Sequence, residues 1–268
     1  MKNLYLTGGA WGIIYQLGAI TQLREIIKKN DTKLYGCSAG ALSLVMMLLY
    51  DDAYILELYK SFMREAHDTV LVKTFVYDSY NLTNYHFKVF DILHLEHPDA
   101  YLKLNDKLNI GITTENGFQW RNTFTSNKDL FNVLLCSFHV PILCSYNACV
   151  DDKKCIDGGF GINVDKDLPD DCFVVCPKEH NPEKTSHKYI NGNIPLLFCI
   201  TPPIDIITTY FYNKGIHDII QYNKTGETST SKLFNIDECN CPISLWWLYR
   251  RLQSIDTKND ISRYDRKF

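Results

Sequence analysis

Apolar and polar positions alternate in a regular way over the first fifty residues. Residues 3–7 form a brief apolar run that Gly8-Gly9 interrupts. From Gly12 onward, Ile13, Leu17, Ile20, Leu23 and Ile27 recur at steps of three and four, which is one face of a helix. Lys28-Lys29-Asn30-Asp31 closes that helix with cations and turn formers. Lys33–Cys37 reads as a second strand, and residues 39–50 as a helix that is apolar on almost every side. Two strands joined by a helical crossover imply a parallel, right-handed unit.

Further along, the pattern is less regular. Residues 52–65 have helical spacing, whereas 78–98 are rich in Asn, Tyr and His with weak periodicity and read as a loop-rich stretch that flanks or covers a site. Residues 108–113 and 118–122 enclose Glu115-Asn116-Gly117, a hairpin signal. Residues 127–137 read as a helix capped by Ser126 or Asn127 and stopped before Pro141. Asp151-Asp152-Lys153-Lys154, between short apolar pairs, predicts a second hairpin. Residues 172–176 and 195–200 are candidate buried strands, and 204–222 and 243–255 candidate helices. No repeat or linker interrupts the chain. The expected fold is one α/β domain over residues 1–268, a three-layer α/β/α arrangement on a mostly parallel sheet, with its motifs in residues 1–170.

A length of 268 residues suffices for one large domain, and 46% hydrophobic with 22% charged residues is ordinary globular composition. A formal charge of −3 offers no reason to expect nucleic acid as a partner. No stretch reaches the apolar length of a spanning helix, and the first residues are too short a run for a secretory leader. Ten cysteines in such a chain read as reduced thiols of the cytoplasm. Neither close pair, Cys172/Cys176 or Cys239/Cys241, has zinc-site spacing, so no metal is expected.

Three segments have the residue types that acyl chemistry needs. Gly36-Cys37-Ser38-Ala39-Gly40 is a Gly-x-Ser-x-Gly elbow between an apolar strand and an apolar helix. There Gly36 and Gly40 let neighbouring backbones close in, and the helix N-terminus favours negative charge beside Ser38. Thr7-Gly8-Gly9-Ala10-Trp11-Gly12 offers backbone N–H groups at another helix start, as an oxyanion needs. Because Thr7 stands at the first glycine of a dinucleotide fingerprint and no ribose-binding acid follows, that reading fails. Ile156-Asp157-Gly158-Gly159 places a carboxylate at a strand end, with Gly158 and Gly159 leaving room beside the nucleophile's turn. Taken singly, each segment also reads as a plain glycine turn.

Together these blocks resemble the patatin-like phospholipases, and most of all their adiponutrin and adipose triglyceride lipase branch. The resemblance runs through Gly8 to Gly18, Tyr35 to Leu42, Leu134 to Pro141 and Ile156 to Phe160, then Asn163 and Leu168-Pro169. It implies a serine–aspartate pair in which Ser38 is nucleophile and Asp157 its base, with N–H groups of Gly8, Gly9 and Ala10 forming the oxyanion hole. It also implies a glycerolipid substrate, no cofactor, and peripheral contact with membranes or lipid droplets. Thr7 and Trp11 depart from the common pattern of the glycine loop, where glycine and a cation are frequent.

Other readings stay open at this point. A Ser-His-Asp triad has formal candidates in His180, His187 and His217. His139 reads as a packed helix-end residue, and Cys37 as a small core hydrophobe. Trp246-Trp247 within residues 243–255 suits either a core helix or one lying on lipid. A lipid-binding protein of the same fold with little activity is the alternative outside enzymology.

Overall fold

A computed structural model of the protein describes residues 1–73, 82–141, 143–178, 185–200 and 202–226. The chain divides into two compact units, Met1–Ser229 and Thr230–Phe268, and the described residues all fall in the first. The expected helix over 243–255, with Trp246 and Trp247, and the Cys239/Cys241 pair lie outside the described residues, as does His180.

The elements follow in the order β1 (Asn3–Leu6), α1 (Ile13–Lys29), β2 (Lys33–Cys37), α2 (Ala39–Leu49), α3 (Asp52–Lys73), α4 (Thr83–Glu96) and α5 (Ala100–Leu104). They continue with β3 (Leu108–Thr114), β4 (Gly117–Arg121), α6 (Asn127–Phe138), β5 (Cys149–Val150), β6 (Lys153–Asp157) and α7 (Val164–Asp167). The last are β7 (Phe173–Cys176), β8 (Lys188–Asn191), α8 (Leu196–Ile200) and α9 (Asp205–Thr225).

One sheet organises them, in the order β5-β6-β3-β2-β1-β7-β8, with β4 also paired to β3. From β3 to β8 all neighbours are parallel, whereas β4 and β6 join β3 antiparallel. This is the mostly parallel α/β sheet flanked by helices that the sequence implies. Side chains alternate across it. Tyr5, Tyr35, Cys37 and Val174 form one buried face with Leu168 and Cys172, and Phe118, Trp120 and Val164 pack against them. Trp120 meets Tyr5 and Tyr35 edge-on at 6.1 and 5.2 Å, and its indole N–H donates to Asp167 O at 2.8 Å. Helix α2, buried from Ala39 to Met47, packs on β1, β2 and β3.

Helices α1 and α9 meet backbone to backbone. A Cβ on Gly18 would stand 1.9 Å from Tyr212 O, so only glycine fits there. Beside this crossing, Lys214 Nζ and Tyr15 O–H both donate to Asp218 Oδ2, at 2.7 and 3.0 Å, in a fully enclosed cluster.

Both hairpins form. In the second, Asp151 and Asp152 take φ of 49° and 60° between the paired Val150 and Lys153, the two-residue turn that matches strand twist. Ser126 caps α6 by accepting from Asp129 N–H at 3.1 Å. Two expectations are corrected. Residues 195–200 are not a strand: Leu196–Ile200 is a helix led in by Pro195, and an apolar run this short has no period to tell the two apart. The sheet place beside β7 belongs instead to Lys188–Asn191, whose mixed composition hid it. Within the region expected to be loop-rich, Thr83–Glu96 is a helix that buries Val89, Phe90 and Leu93.

Candidate active site

Strand β3 measures out the site. On one edge it pairs with β4; on the other it pairs first with β2, up to Cys37 opposite Gly111, and then with β6, which ends at Asp157 opposite Ile112. Strands β2 and β6 therefore run toward each other along one edge and stop at successive positions of β3. The residue after Cys37 is Ser38, so Ser38 and Asp157 meet although 119 positions separate them.

Ser38 sits between β2 and α2 with φ 53° and ψ −129°, a left-handed conformation that lifts a side chain out of the strand line. The turn is tight on both sides. A Cβ on Gly36 would lie 2.6 Å from Ala41 Cα, and one on Gly40 2.1 Å from Leu6 O. Ser137, fully buried on α6, ties the turn down: its Oγ accepts from Ser38 N–H at 2.8 Å and donates to Gly111 O at 2.7 Å. Ser137 lies within the Leu134 to Pro141 block, but a bridge between two distant backbones leaves no local signature in the sequence.

Asp157 is buried, and burial raises its carboxyl from the ordinary 3.8 to about 6. Hydrogen bonding from the Ser38 hydroxyl and the Gly159 N–H, the latter at 2.7 Å to Oδ1, pulls the other way, as does the charge of Lys178. The backbone is held as well: Asp157 N–H donates to His139 O at 2.8 Å, and Thr113 Oγ1 donates to Asp157 O at 3.2 Å. Gly158 is needed for a different reason than expected. A Cβ there would strike Gly111 O at 2.2 Å, on β3, while one on Gly159 would lie 3.1 Å from its own Asp157 Oδ1. Chain neighbours apart, Gly159 has no other atom of the described residues within 4 Å of that position.

The glycine loop completes the group. A Cβ on Gly8 would be 3.3 Å from Ser38 Cβ, 3.8 Å from its Oγ and 3.9 Å from Asp157 Oδ1, so Gly8 lies against both. Ala10 is held at φ 43° at the start of a short 3-10 turn, Ala10–Gly12, that leads into α1. Among the described residues, the N–H groups of Gly8, Gly9 and Ala10 make no backbone hydrogen bond. Gln16, buried in α1, steadies the loop by donating from Nε2 to Thr7 O at 2.7 Å, and Ser43 of α2 donates to Gln16 Oε1 at 3.3 Å.

The model of the patatin-like phospholipase family matches residues 4–167. The chain belongs to that family. The match is to the family as a whole and does not distinguish its branches. Among solved structures, the chain resembles VipD from Legionella pneumophila, with 11% identity over 84% of this chain and 67% of that one and a TM-score of 0.43. It also resembles the heterodimeric ExoU–SpcU complex from the type III secretion system of Pseudomonas aeruginosa, with 13% identity, the same share of this chain, 51% of that one and a TM-score of 0.39. The chain thus spans about half the length of the second. No curated protein matches the sequence.

In this member of the patatin-like family, Ser38 opens onto a cavity of about 80 Å³. Trp11 lines it from the glycine loop, Ile13 from the start of α1, Tyr59 and Phe62 from α3, and Tyr85, His86 and Val89 from α4. Phe138, Val140 and Leu143 close the remaining side. Trp11, where a cation is common, is instead buried against Tyr85 as part of this wall, with ring centroids 5.7 Å apart.

Of the expected histidine candidates, the two that are described, His187 and His217, do not line this cavity. His187 is buried and committed, with Nδ1 accepting from Cys172 N–H at 3.3 Å and Nε2 donating to Val164 O at 3.2 Å. His217 is an exposed residue of α9. His139 is the helix-end residue expected, with Nδ1 donating to Cys155 O at 2.8 Å. Cys37 is fully buried, burial pushes its thiol up, and it takes a hydrogen bond from Tyr5. Sequence reasoning missed His86, which shares the cavity with Ser38, and Lys178, whose charge reaches Asp157. Both lie in segments with no motif. Family membership supports lipid hydrolase chemistry.

Proposed function

We propose that the protein hydrolyses fatty acyl esters of glycerolipids through a Ser38–Asp157 pair and an acyl-enzyme. The observation that carries this reading is a positive-φ serine at a helix start that shares Gly8 as a neighbour with a buried carboxylate and opens onto an apolar cavity. The ester carbonyl lies above Ser38 with its acyl chain in the cavity. Ser38 Oγ attacks the carbonyl carbon while its proton passes to Asp157. A carboxyl raised to about 6 is mostly ionised at neutral pH yet accepts a proton more readily than an exposed aspartate. The oxyanion is received by the N–H groups of Gly8, Gly9 and Ala10, with the dipole of α2 behind Ser38. On collapse the alcohol leaves with the proton from Asp157, and the acyl group remains on Ser38. Water then attacks, giving its proton to Asp157, which returns it to Ser38 Oγ as the fatty acid is released. The scheme uses no metal or cofactor.

A histidine-based alternative centres on His86, but its Nδ1 faces the Tyr146 hydroxyl at 3.2 Å and not a carboxylate, and burial beside His139 lowers it to about 4. That is a poor base at neutral pH. Contact with lipid surfaces and residence in the cytoplasm are part of the same proposal, supported by the apolar cavity and by eight described cysteines that are free thiols.

The test is a fluorophosphonate probe together with a panel of defined glycerolipids. Wild type should label at Ser38 alone and release fatty acid, and Ser38→Ala should do neither. Labelling of a different serine, or turnover preserved in the variant, would overturn the assignment.

A further inference from the structure

His86 is one of the cavity-lining residues whose polarity the hydrolytic scheme leaves unused, with Trp11, Tyr59 and Tyr85. Most of its surroundings are apolar: Phe138, with its ring centroid 5.0 Å away, and the cavity walls built by Trp11, Phe62 and Val89. The ring is half-buried, so a nitrogen that faces the cavity is open to water or to a ligand.

One nitrogen is accounted for, and its partner reveals the tautomer. Tyr146 O–H lies 3.1 Å from Leu135 O and 3.2 Å from His86 Nδ1. Leu135 is in the last turn of α6, and the N–H four residues on, that of His139, has turned to Cys136 O instead. Leu135 O thus needs an external donor, as the last carbonyls of a helix do. Tyr146 has a single hydroxyl proton. If Leu135 O takes it, the Tyr146 oxygen is an acceptor toward His86, and Nδ1 holds the imidazole proton. Burial and neighbouring His139 keep the ring neutral. Nε2 is then a bare lone pair, with no hydrogen-bond partner among the described residues.

We infer that His86 Nε2 accepts a hydrogen bond from an alcohol hydroxyl of the lipid, so that the enzyme selects substrates bringing a free hydroxyl into the cavity. The inference rests on the hydrolase reading above and narrows its substrate class. A neutral imidazole acceptor in an apolar wall recognises a donor and nothing else: an ether or a second ester at the same place would set lone pair against lone pair. Trp11, in the same wall, holds a buried indole N–H without a partner among the described residues. A hydroxyl can donate to one such group or accept from the other. Two sources supply it, the free glycerol hydroxyl of a monoacyl lipid or a hydroxyl on the acyl chain itself.

Two substrate pairs separate the sources. One is lysophosphatidylcholine against its O-methyl ether; the other is the p-nitrophenyl ester of a hydroxy fatty acid against that of the parent acid. Wild type should favour the hydroxyl member of one pair by about tenfold in kcat/KM, and the pair that responds names the source. In His86→Phe, which keeps a planar ring, the preference should shrink to within about twofold. Tyr146→Phe, which frees Nδ1 and admits the other tautomer, should reduce it in part, and this variant together with wild type decides the matter if His86→Phe does not fold. Nitrogen NMR of wild type should show the proton of His86 on Nδ1. Cleavage of both pairs without discrimination, a preference unchanged in the folded variants, or an Nε2–H tautomer would each overturn the inference. If no ester in either pair is cleaved, the hydrolase reading itself fails and the inference falls with it.

Discussion

Ser38 holds φ at 53°, where the Cβ of an L-residue crowds the following carbonyl at a cost on the order of 1–2 kcal/mol. The elbow accepts this strain because Ser137 and the packing of Gly36 and Gly40 leave the chain no other path. Ser38→Gly should therefore raise the free energy of unfolding by about 1 kcal/mol, whereas Ser38→Ala should leave it near wild type, with turnover lost in both. Urea unfolding read by circular dichroism separates the two. Asp157 is stressed electrostatically. Its carboxyl rises from 3.8 to about 6, so the folded chain holds the proton more tightly than the unfolded one. That contribution to stability is full below pH about 4 and is lost as pH climbs through about 6. Asp157→Asn should thus stabilise the fold at pH 7 by on the order of 2 kcal/mol, with less gain at pH 4, while abolishing hydrolysis. Wild-type kcat/KM should fall as pH drops below about 6, where the base is protonated. An Asp157→Asn variant that is less stable at pH 7 and still active would remove Asp157 from the chemistry.

At the scale of elements, α1 against α9 is the most extensive contact among the described residues. The glycine crossing at Gly18 brings the two backbones so close that the enclosed Lys214–Asp218 pair has no route to solvent, with side-chain exposures of 5% and 1%. Lys214→Met should destabilise the protein by about 3–5 kcal/mol, because it strands a buried carboxylate. Adding Asp218→Leu should recover much of the loss. A single variant that unfolds like wild type in denaturant titration would mean that water reaches the pair. The helices with clear three-and-four spacing were legible in the sequence, as was each hairpin from its turn residues. Helix α4 was not, because the side chains that would have marked it, Tyr85 and His86, line a cavity and do not join the packed core. Strand β8 was hidden because a short edge strand buries only Ile190 fully.

For the molecule as a whole, the cavity is assembled from five separate segments. Val89 on α4 is one of its lining residues. Val89→Trp should lower kcat/KM for a long-chain ester about tenfold relative to a short-chain ester, since the added volume displaces terminal methylenes and leaves the ester group in place. Equal losses on both esters would show that Val89 supports the fold and does not bound the acyl chain.

The elbow, the glycine loop and the acid turn were each visible as residues at a spacing, because glycine at a tight turn and serine before an apolar helix are local requirements. The family, the α/β class and the identity of Ser38 and Asp157 as candidates follow from those local patterns. Their meeting does not. It comes from β2 and β6 sharing one edge of β3 and stopping at Gly111 and Ile112, a register that only the assembled sheet defines. The same holds for the proton affinity of Asp157, which burial sets, and for Ser137, Lys178 and His86, whose roles depend on neighbours far away in the chain. A spacing specifies what a backbone can do locally; distance, burial and the partner of each nitrogen are properties of the packed whole.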